Sequence, residues 1–353
     1  MNNTQKTVGS QRTEKKRDAA VTVGQGAFCY EVCPGWDQLP EGWTFLEATS
    51  VASDSHGRVY VFNRGDHPVI VLNRDGAFLG AWGEGLFGRA HGICIGPDDS
   101  LYLTDDAGHT IQKFTPDGRL LLTLGTRGRK SDTGVIGHDY RTIQRVGPPF
   151  NVPTNTALSP AGEIYAADGY GNARVHKFSP DGRLLLSWGE PGSGPGQFQI
   201  PHGIAVRQDG TVFVADRENC RIQLFSPDGV YLSEWADIAR PCQVFIDAQD
   251  NVYVAELGFH AGIWPGSSPP SPEATGGRVS IFDRGGRLQA RWGGGACPCS
   301  PGDFFAPHDL WVDDRGDIYV AEVTMTAGGN KGKVPPECHS LQKFVKIDPP
   351  SLR

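Results

Sequence analysis

One phrase recurs down this 353-residue chain and fixes what it can fold into. It runs apolar residue, often Phe, then a polar residue, Pro or Arg, and Asp-Gly. The copies are Val71-Leu72-Asn73-Arg74-Asp75-Gly76, Lys113-Phe114-Thr115-Pro116-Asp117-Gly118, Lys177-Phe178-Ser179-Pro180-Asp181-Gly182 and Leu224-Phe225-Ser226-Pro227-Asp228-Gly229. A worn copy is Ile281-Phe282-Asp283-Arg284-Gly285-Gly286, and a last one, Lys343-Phe344, has no turn after it. The spacing is roughly forty to sixty residues, the range of propeller blades.

Within each unit the order is constant. A short apolar strand such as Gly203-Ile204-Ala205-Val206 meets a turn at Asp209-Gly210. A second strand ends in an acid, as in Val212-Phe213-Val214-Ala215-Asp216, and a third is Arg221-Ile222-Gln223-Leu224-Phe225. The fourth ends in Trp or Leu: Trp82, Leu124, Trp188, Trp235, Trp292. Val, Ile, Phe and Tyr suit strands, and Asp-Gly suits tight hairpins. Four strands in each of six units predict an all-β, six-bladed propeller with four-stranded blades. Asp105, Asp168 and Asp216 recur at one register and read as turn-stabilising residues.

The domain reading is a polar disordered tail over residues 1–25 and one propeller over 26–353. The tail lacks the apolar core of a signal peptide, so the expected compartment is the cytoplasm. No long apolar run suggests a membrane helix, and a net charge of −7 without a basic stripe argues against a nucleic-acid partner. Most of the eight cysteines read as reduced thiols, and Cys297-Pro298-Cys299 is a weak metal signal without a second pair. Gly-, Pro- and Ser-rich insertions at 127–150, 259–277 and 324–340 read as loops, either shaping a binding mouth or tolerated at the surface.

Three units carry a histidine at one place: Ala90-His91-Gly92-Ile93, Pro201-His202-Gly203-Ile204 and Pro307-His308-Asp309-Leu310. Equivalent positions of a radial repeat face one axis. Three imidazoles there suit zinc or a similar divalent ion, with a fourth position open. Fe, Mn and Co remain open. The bland alternative is three core histidines bonded to backbone.

The repeat resembles the NHL type of propeller. Phe62-Asn63-Arg64-Gly65-Asp66-His67, Ala167-Asp168-Gly169-Tyr170-Gly171-Asn172-Ala173-Arg174 and Val214-Ala215-Asp216-Arg217-Glu218-Asn219-Cys220-Arg221 further resemble peptidyl-α-hydroxyglycine α-amidating lyases. The resemblance implies Zn2+ on His91, His202 and His308, and Tyr170 as the catalytic base. It implies Arg64 and Arg217 on the substrate carboxylate, with Arg64 also serving Tyr170. It also implies a structural Ca2+ held by the carbonyls of Val51 and Ile93 and by Asp309. His109 reads either as structural or as facing substrate.

The implied reaction splits a carbinolamide into an amide and glyoxylate, on a small-molecule or peptide substrate made by a separate hydroxylating enzyme. Two positions depart from the family. Gly171 replaces a cysteine, removing one disulfide, and Ala306 replaces a methionine, which would reshape the pocket. Two other readings stand beside the lyase: a metal-dependent ester or lactone hydrolase, and a non-catalytic NHL binding module.

Overall fold

The Asp-Gly turns each close a hairpin between the third and fourth strand of a blade, and six blades result. The computed structural model describes residues 20–147, 149–262, 269–271 and 273–348. Five sheets are simple meanders beginning with the strands Ala48–Ser53, Ala90–Ile95, Asn155–Leu158, Pro201–Val206 and Pro241–Ile246. The sixth begins with Pro307–Val312. These six first strands touch in a closed ring and line the axis.

The sixth blade closes the molecule. Its strands Pro307–Val312, Ile318–Glu322 and Leu341–Ile347 receive Phe28–Val32 from the other end of the chain as the fourth. This explains why Lys343-Phe344 has no turn after it: its outer neighbour is N-terminal. The expected tail therefore ends too late. Thr22–Gln25 is a fifth strand paired with Phe28–Val32, while residues 1–19 lie outside the described residues. No described helix is long and apolar enough to cross a membrane.

The tryptophan ending each fourth strand packs on the next blade's phenylalanine. Trp82 meets Phe114 at 5.2 Å between ring centroids, Trp188 meets Phe225 at 5.8 Å, and Trp292 meets Phe344 at 5.7 Å. Such pairs contribute about 0.5–1.5 kcal/mol beyond the area they bury. In blade two Leu124 takes this place beside Phe178. These contacts glue neighbouring blades and leave the axis for polar side chains.

The strand-ending acids are latches. Asp105 accepts from the amides of Gly88 and Arg89, Asp168 from Asn151, Asp216 from Gln199, and Glu322 from Phe305 and Ala306. Each fixes the segment that leads into the first strand of its own blade. The reading of these acids as repeat residues holds, and the latch sets the height of the axial side chains.

Candidate active site

The three histidines come from alternate blades, the second, fourth and sixth, and one ring nitrogen of each lies within 4.8 Å of the others. All three are buried, at 1%, 1% and 4% exposure for His91, His202 and His308. Each is pinned by a backbone carbonyl of the next blade. His91 Nδ1 lies 2.6 Å from Thr154 O, His202 Nδ1 2.7 Å from Cys242 O, and His308 Nδ1 2.7 Å from Thr49 O. Thr154, Cys242 and Thr49 stand at the histidine register in the third, fifth and first blades.

The tautomers follow from these bonds. A carbonyl only accepts, so a neutral ring carries its proton on Nδ1 and presents a lone pair at Nε2. Burial, with the neighbouring rings and arginines, pushes all three below the usual histidine range, His308 to about 3. Three lone pairs therefore converge. The Tyr170 hydroxyl lies 3.2 Å from Nε2 of His91 and 3.0 Å from that of His202, and its one proton serves one of them at a time. His308 Nε2 has no hydrogen-bond partner among the described residues. Buried lone pairs without donors are costly, and a divalent cation satisfies all three at once. The residues fit a metal.

One step down the axis lies a second polar layer. Asp309 is fully enclosed; Ser50 donates to its Oδ2, while Oδ1 has no partner of hydrogen-bond geometry among the described residues. Burial pushes its carboxyl up to about 8, against the opposing pull of Ser50, Gln243 and Asn155. Ser50 Oγ also accepts from the amide of Ile93 at 2.8 Å, and Val51 follows Ser50. Ser50 thus links Asp309 to the amide of Ile93, two of the three residues expected around a structural cation. Gly92 and Gly203 make room for this layer: a Cβ on Gly92 would lie 2.9 Å from Asn155 Oδ1, and one on Gly203 2.6 Å from Gln243 Oε1.

Above the histidines opens a cavity of about 370 Å³. Arg64, Arg89, Arg217, Tyr170 and His308 line it, with an apolar wall of Leu257, Val323 and Ala327. Arg64 and Arg217 each follow the end of a second strand, in opposite blades, so they face each other across the axis. Arg64 is held by Glu47, by Thr326 at 3.0 Å and by the carbonyl of Ala90 at 3.1 Å. Arg217 pairs with Glu218 at 2.9 Å, which also pairs with Arg240 at 2.8 Å.

Two expectations need correction. The arginine beside Tyr170 is Arg217, not Arg64: its Nη1 lies 3.3 Å from the hydroxyl and its Cζ 5.3 Å from the ring centroid. Ala306 is fully buried behind Leu257 and Val323, so it does not face the cavity directly. Cys299 forms a disulfide with Cys338, while Cys297 and five other cysteines stay free, in keeping with most of the eight being thiols. His109 is not brought to the histidine cavity; it lines a neighbouring one. The sequence reading missed Arg89, whose guanidinium grips Asp106 at 2.8 and 2.9 Å through Nε. Its signal was its place directly before Ala90-His91, where Glu47 precedes Ala48. Of the insertions, 324–340 lines the histidine cavity, 127–150 the neighbouring one, and 259–277 lies partly outside the described residues.

Comparisons with known proteins agree with this architecture. The sequence model described as NHL repeat matches residues 198–225. The chain is 35% identical over 201 residues to the human protein named NHL repeat-containing protein 3, covering 54% of each. It is 35% identical over 150 residues to peptidyl-alpha-hydroxyglycine alpha-amidating lyase 1 of Drosophila melanogaster, covering 39% of this chain and 25% of that protein. The chain spans about half the length of the first relatives it matches. A solved gluconolactonase from Xanthomonas campestris superposes with a TM-score of 0.58 at 13% identity, over 94% of this chain and 96% of that one, which shows the fold alone. The chain is an NHL-repeat, six-bladed β-propeller that resembles the peptidyl-α-hydroxyglycine α-amidating lyases.

Proposed function

We propose that the chain is a zinc-dependent lyase acting on an N-acyl-α-hydroxyglycine, R–CO–NH–CH(OH)–COO⁻. The hydroxyl gives up its proton, its oxygen forms a double bond to carbon, and the C–N bond breaks. The departing amide nitrogen takes a proton, so the products are R–CO–NH₂ and glyoxylate with no water consumed.

The observation that carries this reading is the set of three Nε2 lone pairs, fixed by three backbone carbonyls, two of them in reach of the Tyr170 hydroxyl, under a cationic cavity. His91, His202 and His308 would hold the metal, which when bound supplies positive charge that lowers the pKa of a hydroxyl beside it. Arg64 and Arg217 receive the substrate carboxylate, a planar group that suits paired N–H donors. Tyr170, as the phenolate, takes the hydroxyl proton and passes it to the leaving nitrogen. Burial pushes its own pKa up, and the adjacent Arg217 charge works against that rise. The apolar wall of Leu257, Val323 and Ala327 closes another side of this cavity. A second cation, calcium in this reading, would sit at Asp309 with the carbonyls of Val51 and Ile93. A separate hydroxylating enzyme would supply the substrate.

Product analysis of α-hydroxyhippurate tests the reading. Benzamide with glyoxylate identifies the lyase. Benzoate would identify a hydrolase, and intact substrate with metal-free protein would favour a binding module.

A further inference from the structure

A second cavity of about 370 Å³ adjoins the first, and Arg89 lines both. Around it stand His109, Lys130, His138, Asn151 and Val152, and among the described residues no carboxylate lines it. The acids nearest His109 are buried and engaged elsewhere. Asp106 is held by Arg89, Asp105 accepts from loop amides, and Asp168 accepts from the amide of Asn151.

The donors are already set. The amide of Val152 donates to His109 Nδ1 at 3.1 Å, so the neutral ring carries its proton on Nε2 and donates from there. Arg89 uses Nε and Nη2 on Asp106, which leaves Nη1 outside that pair. Lys130 is exposed and makes no ion pair among the described residues. A guanidinium, an ammonium and an imidazole N–H around one lining without acids favour an anionic acceptor.

We propose that this second cavity binds the far end of the substrate's acyl half, and that this end carries a carboxylate. The head of the ligand rests on the lyase reading; the cavity then makes the substrate class an N-(ω-carboxyacyl)-α-hydroxyglycine. Arg64 and Arg217 take the head carboxylate, the acyl chain passes Arg89, and His109 with Lys130 takes the second. His109 is thereby a specificity residue rather than part of the reacting centre.

The test is calorimetric binding to the zinc-loaded full chain. The ligands are N-glutarylglycine and N-pentanoylglycine, which lack the hydroxyl and are not cleaved. The diacid should bind about tenfold or more tightly, the scale of one charge-assisted contact. In Lys130→Ala and His109→Asn that ratio should fall to about twofold or less; Asn tolerates the left-handed backbone at position 109 (φ 56°). Equal binding of the two ligands to the unaltered protein overturns the proposal, as does a ratio that survives both substitutions. Free glutarate binding as tightly as N-glutarylglycine would assign the cavity to a separate anion and also overturn it. None of these readings needs C–N cleavage, so absent glyoxylate release would sink the lyase reading alone.

Discussion

The hydroxyl of Tyr170 lies 3.0 Å from Nε2 of His202, on the side of the ring opposite the carbonyl of Cys242. The tyrosine thus touches two of the three histidines without being needed to shape them, because their Nδ1 bonds already fix the rings. Tyr170→Phe should keep the metal at wild-type stoichiometry and lower kcat by about 10²–10⁴-fold, the usual contribution of a positioned acid–base group. Metal analysis and steady-state rates on one preparation check both halves. His202→Ala should lose metal and turnover together.

Glu47 and Arg64 form a largely buried pair, 1% and 11% exposed at the side chain. Removing only the carboxylate strands a guanidinium in a low-dielectric site, at a cost of about 3–5 kcal/mol. Glu47→Ala should therefore lower Tm strongly and raise KM, since only Thr326 and the carbonyl of Ala90 would hold Arg64. The double variant Glu47→Leu with Arg64→Met should recover much of the Tm and none of the KM. Calorimetry and kinetics separate the two effects.

The disulfide Cys299–Cys338 ties the approach to the sixth blade to the 324–340 insertion, which supplies Thr326 and Ala327 to the cavity. Cys338→Ser should cost about 2–4 kcal/mol of stability. Reductant should lower the Tm of the unaltered protein and leave that of Cys338→Ser where it is. Equal shifts in both would point to another reducible group.

His339, beside that disulfide, is set against buried Glu322: its Nδ1 lies 2.8 Å from Oε1 as a charge contact without hydrogen-bond geometry. Burial lowers its pKa, but the Glu322 carboxylate raises it more, and the net direction is up from 6.5. A histidine with a raised folded pKa gives stability that is full below the unfolded value and is lost as pH rises through the folded one. Stability should thus fall as pH climbs above 6.5, and His339→Gln should flatten that slope. Denaturant midpoints across the neutral range decide it.

The blades were legible because each is local: Arg174 to Trp188 carries a strand, its turn and the next strand. The three histidines were legible because a radial repeat converts equal register into a shared axis. What escaped depends on contacts far apart in sequence. Strand Phe28–Val32 enters the sheet of Leu341–Ile347, and nothing near Phe28 announces its partner. Cys299 and Cys338 are 39 residues apart and show no paired motif. The exchange of Arg64 for Arg217 beside Tyr170 turns on which charged neighbour, Glu47 or Glu218, pulls each guanidinium. Register alone does not encode that choice.

The most direct test of the central claim is glyoxylate release from α-hydroxyhippurate by the metal-loaded protein, with and without a chelator. The account predicts release that the chelator abolishes, that zinc restores, and that His91→Ala, His202→Ala and His308→Ala each lack. Release that persists in the chelated protein or in those variants, or none at all with zinc bound at the three histidines, would contradict it.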